Sequence, residues 1–208
     1  MKRVLMVAVA WTLAAAAWGQ RLDSRLGHDG EFVWRMCRAG ETRAAAEALS
    51  SAGFDDSAWM EAIVPGTTLT SLVENGVFPE PYHGTTNKMS EKKIPDITAA
   101  GRDFYTFWFR TEFDTPPLEE GERLWLHPEG INYRAEWWLN GHLVSVMAGM
   151  FADDRIDITD FVSKDGRNGL AVLVKPVDIP GTTMPKPWEP PGRTATVVTA
   201  TSAGTRPS

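Results

Sequence analysis

The side chains with the most chemistry to offer lie in one stretch. Residues 77–101 string Tyr82, His83, Asn87 and Asp96 between Pro79, Pro81 and Pro95, with a charged cluster Glu91-Lys92-Lys93. A tyrosine offers a ring face and a hydroxyl, an amide both donates and accepts, and a carboxylate only accepts. Such groups suit a ligand covered in hydroxyls. A connection this long inside a compact domain is functional or irregular. Its polar content favours function, and a solvated loop wrapping a sheet edge is the alternative. Tyr82 and Asp96 are candidate contacts on side-chain chemistry alone.

Other constellations point away from chemistry. Glu119-Glu120 and Asp153-Asp154 are neighbours on turn-like sequence, where carboxylates are solvated and nothing raises a pKa for general-acid work. His28, His83, His127 and His142 show no metal-ligand spacing. No phosphate loop and no Gly-x-Ser-x-Gly elbow is present. No cofactor and no metal are therefore expected. Cys37 is the single cysteine of 208 residues, so an intrachain disulfide is impossible and core burial must supply stability. A net charge of −6 argues against a nucleic-acid partner. Nine Trp stand against three Tyr. An indole suits stacking on a sugar ring, although any single one is more readily a core residue.

The elements that must position these groups read as strands. Residues 130–141 run as a strand into a hairpin: Tyr133, Ala135, Trp137 and Leu139 share one face, Arg134, Glu136 and Trp138 the other. Asn140-Gly141 supplies the two positive-φ positions of a type I′ turn, and 142–146 returns. Residues 104–113 form another strand, with Tyr105, Phe107, Phe109, Thr111 and Phe113 on one face. Trp108 lies opposite, half-buried or a platform. Residues 123–127 put Leu124 and Leu126 inward. Strands are also expected at 32–37 and 155–158. In 168–175 the apolar residues fall on both faces, as in a central strand covered on both sides. Thr68 is expected to cap a short helix over 69–75, with Gly76 as its left-handed stop. Short strands at this spacing with turn chemistry between them predict an antiparallel β-sandwich. At the ends, residues 1–19 read as a secretory leader. Lys2 and Arg3 precede an apolar run shorter than the roughly 20 residues a bilayer span needs, and Ala17 and Gly19 fit a cleavage site. The expectation is a secreted or periplasmic protein with no stable membrane anchor. Residues 20–180 are then the sandwich. Residues 181–208, rich in Pro, Thr, Ala and Gly and without periodicity, read as a disordered, divergent tail.

Seven pieces in order, Gly53-Phe-Asp-Asp-Ser-Ala-Trp59, Val64-Pro-Gly-Thr-Thr68, Asn75-Gly-Val-Phe-Pro-Glu-Pro-Tyr82, 104–113, 130–141, Gly149-Met-Phe151 and 170–176, carry a resemblance. Together they resemble the amino-terminal sugar-binding domain of glycoside hydrolase family 2, in the branch of exo-β-D-glucosaminidases and β-mannosidases. The resemblance implies an all-β, jelly-roll sandwich like galactose-binding domains. It implies extended chain over 43–52, against the helix propensity of that Ala- and Glu-rich segment. It also places an asparagine near the bound sugar at Asn87, which with Tyr82 and Asp96 completes the candidate carbohydrate contacts. The family's chemistry lies elsewhere. Retaining hydrolysis uses two carboxyl groups about 5–5.5 Å apart, in this family two glutamates of a (β/α)8 barrel, one following an Asn. This chain has no Asn-Glu pair and no room for a barrel of roughly 250 residues. The family's Trp-Asp-Trp loop is missing where the sequence diverges after about Pro180. The expected function is thus the non-catalytic domain of an exported glycosidase, with a barrel domain as its missing partner and carbohydrate as a weak ligand. A stand-alone carbohydrate-binding module or an inactive fragment is the alternative.

Overall fold

Two neighbouring strands that are buried on both faces, Phe107–Asp114 and Arg167–Lys175, set the architecture. In the computed structural model, residues 25–26, 32–84, 86, 93–152, 154–164, 166–177, 196–197 and 200–201 are described. In chain order the strands are β1 (Arg25–Leu26), β2 (Trp34–Arg38), β3 (Met60–Ala62), β4 (Gly66–Thr67), β5 (Phe107–Asp114), β6 (Trp125–Pro128), β7 (Ile131–Asn132), β8 (Arg134–Leu139), β9 (His142–Ala148), β10 (Ile156–Asp157), β11 (Arg167–Lys175), β12 (Thr196–Val197) and β13 (Ala200–Thr201). The helices are α1 (Ala46–Leu49), α2 (Thr68–Glu74) and α3 (Ile97–Ala100).

Among the described residues the main sheet runs β3-β2-β5-β11-β8-β9, antiparallel throughout. The sheets β1-β13-β6-β10 and β4-β12-β7 make the second layer. The core lies between the layers. Phe107, Phe109, Trp137, Leu139, Val172 and Val174 of the main sheet meet Leu124, Leu126, Ile131 and Ile156 of the other. Alternation along each strand delivers these residues to one side. Full burial of each is worth about 1.5–3 kcal/mol.

A second, smaller core covers part of the outer face. Cys37, Trp108, Ala171 and Leu173 point outward and are roofed by Leu49, with Ala44, Ala46, Phe54 and Trp59 packed around them. Hence β11 is covered on both sides, as its unbroken apolar run requires, and Trp108 is a buried core residue, not a platform. The roof is the segment between β2 and β3. It approaches so closely that a Cβ on Gly169 would sit 2.6 Å from the Ser50 carbonyl oxygen.

The roof corrects one expectation. Residues 46–49 form a helical turn where the resemblance implied extended chain; the local propensity of Ala-Glu-Ala-Leu prevails, and Leu49 is fully buried by it. A second correction concerns the cap of α2. Thr67, not Thr68, is its N-cap: its hydroxyl accepts the Thr70 N–H at 2.9 Å, and Thr68 is instead the buried first residue of the helix. Gly76 does follow with φ +69°. Residues 103–105 are a 3-10 turn, so the strand expected from 104 begins at Phe107.

The hairpin forms as its sequence demands. Asn140 and Gly141 take φ of 48° and 84°. Asn140 does more than turn the chain. Its amide donates to the Phe161 carbonyl and to Asn168 Oδ1, both at 2.8 Å, and accepts the Gly169 N–H at 3.0 Å. Fully buried Asn168 donates in turn to the Phe113 carbonyl at 3.2 Å and accepts the Ser163 N–H at 2.7 Å. This pair satisfies backbone groups of β5, of β11 and of the connection between β10 and β11. Within the tail from 181, β12 and β13 each pair with neighbouring strands of the second layer. The remainder of the tail, and the expected leader at 1–19, lie outside the described residues.

Candidate functional site

The loop 79–97 is held at both roots by the core. At the first root Phe78 is buried and its N–H bonds to the Leu72 carbonyl at 3.3 Å. At the second, Ile94, Ile97 and Ala100 pack against the main core. Tyr105, only 1% exposed, donates its hydroxyl to the Pro95 carbonyl. Burial, with the Asp96 charge adding and Arg38 opposing, pushes the Tyr105 phenol up to about 12. The hydroxyl therefore keeps its proton and its donor role. Between the roots, Thr86 is buried and folds back on His83, N–H to carbonyl at 3.2 Å and hydroxyl to carbonyl at 2.8 Å.

The three candidate contacts differ in what the structure makes of them. Tyr82 is 89% exposed, and its backbone N–H bonds to the Glu80 carboxylate at 3.2 Å. The ring is thus presented to solvent by a short turn. Asp96 is the N-cap of α3: Oδ1 accepts the Thr98 N–H at 2.7 Å and the Thr98 hydroxyl at 2.6 Å. That carboxyl oxygen is occupied by the fold. Asn87, directly after the anchored Thr86, lies outside the described residues. No bond joins Tyr82 to Asp96 among the described residues.

The strongest polar cluster lies elsewhere, around Arg110 of β5, a residue not among the candidate contacts. Arg110 is 2% exposed. Its guanidinium donates to the Leu49 and Ser51 carbonyls, each at 2.9 Å, and pairs with Asp56 and Glu112. Glu112 also accepts the Gly53 N–H at 2.8 Å and pairs with Arg167 at 2.7 Å. Burial alone would raise the Glu112 pKa. The bonds from Arg110 and Gly53 and the charges of Arg110 and Arg167 outweigh it and hold the carboxyl below its ordinary value. The cluster pins the roof to the sheet and explains the stretch Gly53-Phe-Asp-Asp-Ser-Ala-Trp59. The visible signal was an acidic pair in a turn and a lone Arg in an otherwise apolar strand.

Glu119 and Glu120 are exposed, Asp154 accepts from Ser145 at 3.3 Å, and Asp153 lies outside the described residues. Burial, with the Glu41 charge adding, pushes the Cys37 thiol up to about 12, so it is no nucleophile near neutrality. Among the described residues no group of three or more His, Cys, Asp or Glu is placed to hold a metal ion, and no helix is long and apolar enough to cross a membrane.

The antiparallel sheets packed on a shared core give the chain the architecture of a β-sandwich. The model of the glycosyl hydrolase 2 galactose-binding domain-like family matches residues 34–185, and the chain belongs to that family. It is 45% identical over 128 residues to a mannosylglycoprotein endo-β-mannosidase of Lilium longiflorum, covering 62% of this chain and 13% of that protein. It is 35% identical over 133 residues to an exo-β-D-glucosaminidase of Arthroderma benhamiae, covering 62% of this chain and 14% of that protein. Among solved structures, the exo-chitosanase CsxA of Amycolatopsis orientalis shares the fold with a TM-score of 0.60 at 23% identity, over 75% of this chain and 17% of that one. The chain therefore spans a small part of the length of the glycosidases it matches.

Proposed function

We propose that this chain is the non-catalytic amino-terminal sugar-binding sandwich of an exported family 2 glycoside hydrolase of exo-β-D-glucosaminidase or β-mannosidase type. The observation that carries the reading is the family match over 34–185, together with relatives of which the matched segment is only 13% and 14%. The carboxylates support it. Asp56 and Glu112 are held by arginines, Glu136 by Lys175, and Asp96 by a helix cap. A retaining glycosidase needs one carboxyl kept protonated and one kept free, and groups committed to cations and caps do neither. The basic start, short apolar run and small-residue site of 1–19 support export. In this reading loop 79–97 forms one wall of a sugar pocket, through Tyr82, Asn87 and Asp96, and a barrel domain supplies the rest.

The purified chain is expected to release no nitrophenol from p-nitrophenyl β-D-glucosaminide or β-D-mannoside. Turnover that is lost when a residue of this chain is substituted overturns the reading. Nucleotide sequence downstream of codon 208 separates the alternatives: a barrel encoded there, in any frame, supports the hydrolase reading, and a clean intergenic region supports a stand-alone module.

A further inference from the structure

Five asparagines occur in the chain, and three of them, Asn75, Asn140 and Asn168, precede a glycine. In such a pair the asparagine can lose its own amide. The glycine nitrogen attacks the side-chain carbonyl carbon, the new C–N bond closes a succinimide ring, and ammonia leaves. Water then opens the ring to aspartate or isoaspartate. Glycine favours the attack because no Cβ shields its nitrogen. The reaction consumes only water, so the fold decides which pair reacts.

Two of the three pairs lock each other. The Asn140 amide donates to Asn168 Oδ1 and to the Phe161 carbonyl, both at 2.8 Å. The Gly169 nitrogen, which would attack Asn168, donates to Asn140 Oδ1 at 3.0 Å. The Gly141 nitrogen, which would attack Asn140, donates to the Ser50 hydroxyl at 3.0 Å. Space is closed as well, since a Cβ on Gly169 would lie 2.6 Å from the Ser51 carbonyl oxygen. Freeing either nitrogen means parting β8 from β11 or lifting the roof, an opening of the core itself.

The third pair ends α2, a helix of 7 residues, and both of its members are exposed. The Gly76 N–H donates to the Val73 carbonyl at 2.9 Å, within the last turn. Helix ends fray far more readily than cores open. A Cβ on Gly76 would meet nothing within 4 Å, so a ring has room to close. The Asn75 amide is also a clamp. It donates to the Glu61 carbonyl of β3 at 2.8 Å and to the Ser71 carbonyl of α2 at 2.7 Å. An aspartate there has no proton for either carbonyl, and it adds negative charge to the negative end of the helix. The clamp sits beside the first root of loop 79–97, where the Val77 and Phe78 N–H groups bond to the Leu72 carbonyl at 2.8 and 3.3 Å.

We propose that Asn75-Gly76 is a deamidation site, at which fraying of the end of α2 lets the succinimide form, and that the product releases the clamp between α2 and β3 at the root of loop 79–97. The proposal concerns the covalent chemistry of this chain and is independent of any sugar.

Tandem mass spectrometry of the purified chain, aged at pH 8 in buffer and in concentrated guanidinium chloride, tests it. In buffer, Asn75 is expected to convert at least tenfold faster than Asn140 and Asn168; in denaturant the three rates should converge. Asn75 intact in buffer overturns the proposal. So does conversion of Asn140 or Asn168 as fast as that of Asn75, or a tenfold lead of Asn75 that persists in denaturant. The aged chain, and separately Asn75→Asp, should melt below the fresh parent. An unchanged melting temperature in both overturns the release of the clamp.

Discussion

Trp137 and Trp138 stand side by side in the chain and on opposite faces of β8. Trp137 is fully buried in the main core, against Phe109, Leu139 and Val172 in the same cluster. Trp138 is half-buried on the outer face, where its register partners are Ala171 and Leu143. Truncating a buried Trp costs about 3–5 kcal/mol, a large share of the 5–15 kcal/mol or so that holds a domain together. Trp137→Ala is therefore expected to unfold or severely destabilise the chain, and Trp138→Ala to do so less, because it opens a site already partly wet. Urea melts of the two variants decide the matter, and a larger loss from Trp138→Ala would reverse the face assignment.

Elements here are joined by charge as well as by packing. The roof segment is fastened by Arg110, which the sheet buries and which holds Asp56, Glu112 and two carbonyls of the roof. A buried guanidinium without partners is costly, so the carboxylates opposite it are as much a part of the core as Leu49. Glu112 has a folded pKa below its unfolded value. Its contribution to stability is then complete above the unfolded pKa, near 4.5, and is lost as pH falls through the lower folded value. Glu112→Gln is expected to cost about 1–3 kcal/mol near pH 7. That gap should close progressively below about pH 4.5, where the native carboxyl takes up its proton. Parallel denaturation of the native chain and the variant from pH 7 to pH 3 measures it. A gap that does not change with pH would mean that the ionic part of the contact contributes nothing.

For the whole molecule, the question is what one wall of a pocket can bind. Small-ligand sites normally enclose most of the ligand. Loop 79–97 presents Tyr82 to open solvent, and Asp96 spends one oxygen on the cap of α3. A sugar held there leaves most of its hydroxyls on water, so each new hydrogen bond nets only about 0.5–1.5 kcal/mol. Two or three of them, less the entropy of association, leave a dissociation constant on the order of millimolar or weaker. Titration calorimetry with glucosamine, mannose and chitosan oligomers is expected to show no heat of binding at micromolar ligand. A micromolar constant lost in Asn87→Ala would promote the stand-alone binding module instead.

The sequence by itself settled what depends on neighbours a few residues away. The period of two put Trp137 inside and Trp138 outside, the apolar run of β11 required cover on both faces, and Asn140-Gly141 required the hairpin. The order of seven short motifs placed the chain in its family. Other features were decided only when distant segments met. Thr67 and Thr68 are equivalent as letters, and the cap went to Thr67 because Thr68 is buried as the helix starts. Arg110 read as one charge on a strand, but its partners lie 54 and more residues earlier on the roof as well as two residues ahead at Glu112. Trp108 read as a possible platform until the roof closed over it. Local pattern fixes which face a side chain takes; what lies opposite that face is set by chain that folds back from far away.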